Sequence, residues 1–79
     1  MTNMLKNAVD KIMAPYSADQ VAMMQATVDE IMSGILTKAK EIRSACTDDK
    51  AALKMAVIDG LYANDPRKRS MAMMIVNNL

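Results

Sequence analysis

The segment from Ser17 to Ala45 carries one uninterrupted helical pattern, which is long for a chain of 79 residues. It opens with a capping box, in which the side chains of Ser17 and Gln20 are each placed to bond a free backbone N–H at a helix start. Apolar residues then recur every three or four positions; they are Val21, Met24, Val28, Ile31, Met32, Ile35, Ala39 and Ile42. The pattern predicts a single helix over residues 18–45.

The length of this helix conflicts with the size of the domain. A straight helix over residues 18–45 would be about 42 Å long at about 1.5 Å per residue. A compact chain of this length should have a radius of gyration of about 12 Å, and so a diameter of about 30 Å. Two solutions are open. Either the helix bends or packs closely at Ser33-Gly34, a type of pair that permits kinks, or it projects and a second subunit covers it.

The other segments also have helical spacing. A first helix should end before Pro15, because the residue preceding proline is driven out of the helical region. Thr47-Asp48-Asp49 has the form of a cap followed by acids in the first turn of a third helix, and Asp65-Pro66 has the form of a helix start. No alternating β-type pattern occurs. We therefore predict an all-α fold, a single domain over residues 1–79 that forms a compact bundle of four helices, at about 2–14, 18–45, 48–62 and 66–77.

The inventory of reactive side chains is small. The chain has no histidine, and Cys46 is its one cysteine. Without histidine and with one cysteine, the chain lacks the usual ligands of a zinc or haem site and cannot form an internal disulfide. It also has no histidine to act as a general base. A phosphate-binding loop is excluded because Gly34 and Gly60 are the two glycines, and they lie far apart. We expect a protein that is not an enzyme and holds no metal or cofactor.

Charge and hydropathy also narrow the class of protein. The net charge of +1 is far below that of a strongly basic nucleic-acid binder. No segment approaches the run of about 20 apolar residues that a membrane span requires. The first thirteen residues contain frequent charges, unlike a secretory signal, and a single unpaired cysteine fits a reducing compartment. The expected protein is soluble and cytoplasmic.

The third and fourth helices carry more apolar surface than a small bundle can cover. The apolar arc of the fourth helix spans roughly 260°, whereas a surface helix needs little more than about 100°. The third helix has two apolar stripes, which are Leu53, Val57, Leu61 and Met55, Ile58, Tyr62. A bundle of this size has one inside position at most, so we expect the surplus to meet a homodimer partner or another protein.

Arg67, Lys68 and Arg69 lie at the start of the fourth helix, where positive charge is disfavoured by the helix dipole. They form either a solvated basic cluster or a site for an anion, which could be a phosphate, a nucleic-acid backbone or an acidic protein patch. A secondary basic patch at the end of the second helix complements the dipole there; it consists of Lys38, Lys40 and Arg43.

Together these patterns predict a non-catalytic interaction module, a small inhibitor or adaptor that docks on a larger protein. The predicted partner-binding residues are apolar anchors in an interface and cations at its rim, facing an acidic patch; they are Met71, Met74, Ile75, Arg67, Lys68 and Arg69. The alternative is a protein that binds phosphate or a nucleic-acid backbone through the basic helix start. Nucleic acid is the less favoured partner, because the helix has few polar side chains that could reach base edges.

Overall fold

Four α-helices and no strands make up the computed structural model, which describes residues 1–79. The prediction of an all-α, four-helix bundle is confirmed. None of the helices is both long and apolar enough to cross a bilayer. The helices are α1 (Thr2–Met13), α2 (Ala18–Ile42), α3 (Asp49–Ile58) and α4 (Pro66–Asn77), and a 3₁₀ turn over Arg43–Ala45 continues α2.

Side-chain caps define where three of the helices start. The Ser17 hydroxyl accepts a hydrogen bond from the backbone N–H of Gln20 over 3.3 Å, and the Gln20 side chain accepts one from the N–H of Ser17 over 3.0 Å. Asp48 caps α3 by accepting from the N–H of Ala51 over 2.8 Å. Asp65 has the same role at α4. Each cap satisfies a backbone group that a helix start leaves free.

The end of α3 differs from the prediction. The helix was expected to run to about residue 62, and it ends at Ile58. Gly60 has a φ of +105°, a left-handed conformation that glycine adopts without steric cost and that commonly ends a helix. Tyr62 also has a positive φ, of +63°. Leu61 and Tyr62 therefore belong to a loop, although their spacing continues the apolar period of α3.

The bundle accommodates α2 by being elongated. With 25 residues, α2 is about 37 Å long at about 1.5 Å per residue. The molecule measures 39 × 26 × 17 Å, with a radius of gyration of 12.1 Å. The helix is continuous through Ser33 and Gly34. The sequence left open whether this helix packs closely at Gly34 or projects towards a second subunit. Close packing at Gly34 is present, and the residue that packs there is Tyr62, from the loop after α3.

All fully buried residues are apolar, and α2 and α4 each pack against the other three helices. In contrast, α3 packs against α2 and α4 and leaves Met55 and Ile58 exposed. The surface area is 4921 Å², close to the value of about 4,700 Å² expected for a compact monomer of this mass. The buried residues are Leu5, Ala8, Val9, Val28, Ile31, Ile35, Ala39, Ala52, Leu53, Ala56, Val57, Ala72, Ile75 and Val76.

Candidate protein-interaction surface

Lys68, the second of the three cations at the start of α4, binds within the molecule. Its ammonium group lies 2.5 Å from the carboxylate of Glu30 on α2 and 5.8 Å from the centre of the Tyr62 ring. The hydrogen bond to Glu30 raises the pKa of Lys68 above its usual value. Lys68 therefore joins the start of α4 to the middle of α2.

Arg69 also has a partner within the molecule, at the C-terminal end of α3. Its guanidinium group donates a hydrogen bond to the backbone carbonyl of Val57 over 3.4 Å, in the last turn of α3. The last carbonyls of a helix lack partners within that helix, and cations are favourable there. The charge of Arg69 is unfavourable for its own helix but suits the end of α3.

Arg67 is the remaining cation of the cluster. It is exposed, and its side chain forms no ion pair or hydrogen bond within the chain. The structure thus separates the three predicted cations, because Lys68 and Arg69 have intramolecular partners while Arg67 alone is free to meet an external group.

The three predicted apolar anchors differ in how far they are buried. Ile75 is 1% exposed and lies in the core, so it faces no external partner. Met71 is half-buried and packs against the core. Met74 is 44% exposed. The wide apolar arc of α4 therefore combines a core-facing side with a narrower outer side, and Met74 lies on the outer side.

Arg67, Met71 and Met74 are aligned along α4. Their spacing of four and then three residues places them on one stripe of the helix. The cation lies at the start of this stripe, and the exposed methionine lies about two turns further along. Half of the predicted partner-binding residues are thus brought together on one outward side.

A hydrogen bond joins α1 to the end of α4. The Lys11 ammonium donates a hydrogen bond to the backbone carbonyl of Asn78 over 3.4 Å, which joins the ends of α1 and α4. Asn78 continues the stripe of Met74, and Met4 lies two turns before Lys11 on the same stripe of α1. Met4 is 41% exposed. We call Met4, Met71, Met74 and the adjoining Arg67 the methionine surface.

The secondary basic patch does not form a cluster of free cations. Lys38 lies 3.9 Å from Glu41 on the same helix. Lys40 is exposed and unpaired. Arg43 is used in the turn between α2 and α3, where its guanidinium group lies 2.6 Å from the carboxylate of Asp49. That hydrogen bond is the main cause of a lowered pKa for Asp49.

A second apolar surface lies on α3, where no binding residue was predicted. Met55 and Ile58 are 38% and 57% exposed, and a groove of about 400 Å³ adjoins Met55. Both residues belong to the second apolar stripe recognised in the sequence, which could have indicated this surface. The groove is lined by Ile42, Ala45, Cys46, Thr47, Ala51, Met55 and Asp59.

No group of three or more His, Cys, Asp or Glu side chains is arranged to hold a metal ion, and Cys46 lies half-buried in the α3 groove.

In comparisons of sequence and fold, no protein-family model matches the chain, and no curated protein or solved structure is significantly similar to it. Function is therefore inferred from the arrangement of the residues in this chain.

Proposed function

We propose that the protein is a non-catalytic helical interaction module, a small inhibitor or adaptor that docks on a larger protein through the methionine surface. The observation that supports this proposal is the exposure of two methionines, Met74 (44%) and Met4 (41%), on two helices that the hydrogen bond between Lys11 and Asn78 joins. Methionine is flexible and polarisable, which suits a surface that adapts to a partner.

The charge at the end of the methionine surface indicates the chemistry of the partner. Arg67 is free and lies on the stripe of Met71 and Met74, so a matching partner presents an apolar patch with a carboxylate near its edge. Charges at the rim of an interface mainly set the rate of encounter, and buried apolar anchors mainly set the rate of dissociation. Lys68 and Arg69 are left out of this surface because their charges have partners within the chain.

The alternative function, binding of phosphate or a nucleic-acid backbone, has less support. An anion site at the start of α4 was expected to use three cations, and two of them contact Glu30 and Val57 instead. One free arginine beside two methionines resembles the edge of a protein interface more than a phosphate site, where several cations or backbone N–H groups converge.

A photo-crosslinking experiment tests the proposal. Met74→benzoylphenylalanine would be introduced into the tagged protein, and a lysate of the source cells would be irradiated with and without nuclease. We expect a discrete protein adduct that survives nuclease. The matched control is Met23→benzoylphenylalanine, since Met23 is a more exposed methionine (84%) outside the methionine surface. That control should give no such adduct.

A second variant tests the role assigned to Arg67. Arg67→Glu, combined with the crosslinker at position 74, should reduce the rate at which the adduct forms at low salt, and the reduction should diminish as salt is added. An adduct that forms equally from positions 74 and 23 would contradict the proposed surface. Capture of nucleic acid that nuclease removes would favour the alternative function.

A further inference from the structure

We propose that the protein also forms a homodimer in which the α3 helices of two copies lie side by side and parallel. This inference goes beyond the proposed function because it uses a different surface, the α3 face. We define the α3 face as Ala51, Met55 and Ile58 with the flanking residues Lys54 and Asp59. The occupant of this face is a second copy of the same chain.

The α3 helix has two opposite sides with different surroundings. One side is fully buried in the core of its own bundle; its residues are Ala52, Leu53, Ala56 and Val57. On the other side Met55 and Ile58 are 38% and 57% exposed. Ala51, Met55 and Ile58 are spaced by four and then three residues, which is the spacing of the contact positions of a coiled coil.

Lys54 and Asp59 flank this apolar stripe on its two sides. Lys54 directly precedes Met55, and Asp59 directly follows Ile58, so each lies roughly 70° from the centre of the stripe at about 100° per residue. Both are exposed, and neither belongs to any of the ion pairs of the chain. In a coiled coil, these two positions carry the charges that select the partner and its orientation.

The charge pattern favours two copies in parallel. In a parallel pair, the position before one contact residue faces the position five residues later in the partner helix. Lys54 of one copy then faces Asp59 of the other, and the twofold symmetry makes this pair twice. An antiparallel twofold pair would instead place Lys54 beside Lys54 and Asp59 beside Asp59, which is repulsive.

The bundle already holds α3 in a helical conformation before a second copy binds. A segment of one heptad is too short to form a helix alone, but α3 is already held by its buried side, so binding does not have to order it. The groove beside Met55 offers space for a side chain of the second copy. Because one short helix face buries little area, we expect weak association, with a dissociation constant of roughly 10–100 µM.

Sedimentation equilibrium over micromolar to millimolar concentrations tests this inference. The mass of the wild-type protein should rise from 8.7 kDa towards twice that value. Met55→Gln should weaken association at least about tenfold, because it removes an apolar contact from both copies. Met23→Gln is the matched control, since it changes an exposed methionine on α2, and it should leave association unchanged.

Charge reversals test the parallel arrangement. Lys54→Glu and Asp59→Lys should each weaken self-association, because each places like charges opposite one another in both pairs. Mixing the two variants should restore association as a heterodimer, and the double variant should associate like the wild type. Circular dichroism of each variant checks that the helices remain folded, which is expected because both positions are exposed.

Three results would overturn the parallel homodimer through the α3 face. The wild-type protein could remain at 8.7 kDa at millimolar concentration, the single charge variants could associate as tightly as the wild type, or Met23→Gln could be as damaging as Met55→Gln. None of these results bears on crosslinking from position 74. Failure of the homodimer and failure of the methionine surface are therefore distinguishable.

Discussion

The phenol oxygen of Tyr62 lies in the space that a Cβ at Gly34 would occupy. Tyr62 lies beyond the end of α3 and has a left-handed backbone, with φ of +63°. Its hydroxyl donates a hydrogen bond to the backbone carbonyl of Glu30 over 3.3 Å. This contact attaches the loop between α3 and α4 to the middle of α2. A glycine inside a helix lowers stability by about 1 kcal/mol relative to alanine, so the close approach of Tyr62 accounts for a glycine at position 34.

Gly34→Ala should therefore destabilise the protein by about 1 kcal/mol, although alanine is the better helix former. The added methyl group forces Tyr62 away from α2, and overpacking of this kind costs about 1–3 kcal/mol, which outweighs a gain of about 1 kcal/mol in helix propensity. Urea denaturation of both proteins measures the difference.

The control is the same substitution in a Tyr62→Ala background. There the steric conflict is absent, so Gly34→Ala should stabilise the protein by about 1 kcal/mol through helix propensity alone. The predicted reversal of sign is the informative quantity, since it measures the coupling between the two positions. If the substitution has the same effect in both backgrounds, the close approach of Tyr62 is not what selects glycine at position 34.

The three cations at the start of α4 should respond differently to charge reversal. Lys68→Glu should lower the free energy of unfolding, because a favourable exposed pair with Glu30 becomes a repulsive one. Arg67→Glu should be neutral or slightly stabilising, because the acid suits the helix dipole and no contact is lost. Chemical denaturation at low and high salt measures both effects.

A charge exchange provides the control for Lys68. In Glu30→Lys combined with Lys68→Glu, the pair is restored with reversed signs, and the acid at the start of α4 also suits the dipole. The double variant should be at least as stable as the wild type. Equal destabilisation by Lys68→Glu and Arg67→Glu would mean that the contact with Glu30 contributes nothing.

Stability should decrease at alkaline pH. Partial burial, together with the negative charge of Glu30, raises the pKa of Tyr62 above 10.0, and the hydrogen bond to Glu30 raises the pKa of Lys68 above 10.5. The folded state therefore binds both protons more tightly than the unfolded state. The stabilisation is complete below about pH 10 and is lost as the pH rises through the raised pKa of each group.

Unfolding measured between about pH 9 and about pH 11.5 tests this linkage. Tyr62→Phe should reduce the loss of stability, because it removes one of the two groups. In a Tyr16→Phe background, Tyr62 is the only tyrosine left, and its ultraviolet absorbance should titrate above pH 10.0. Titration at or below that value would contradict the contribution of burial to this pKa.

The parts of the fold that depend on nearby residues could be predicted from the sequence. Ser17, Asp48 and Asp65 each cap a helix by bonding an N–H three residues later, so a short window contains the whole signal. The end of α3 was missed because Leu61 and Tyr62 continue the apolar period of the helix. The period reports which side a residue would occupy, but it does not report the backbone angles that Gly60 permits.

The candidate site was harder to predict because its residues have distant partners. Arg69 contacts a carbonyl 12 positions away, and Lys68 contacts a carboxylate 38 positions away. Within α4 alone, both look like unfavourable charges at the wrong end of a helix. Burial has the same difficulty, since Met74 and Ile75 lie in one apolar arc and only the packing of the other helices distinguishes them.

That distinction gives the last prediction, which compares Ile75→Ala with Met74→Ala. Ile75 is 1% exposed, so truncating it leaves a cavity and should cost about 2–5 kcal/mol. Met74 is 44% exposed, and its truncation should cost less than about 1 kcal/mol. Urea denaturation measures both changes. Because Met74→Ala remains folded, any loss of partner binding in that variant reports on the methionine surface itself. A loss of stability as large as that of Ile75→Ala would instead place Met74 in the core and remove it from the surface available to a partner.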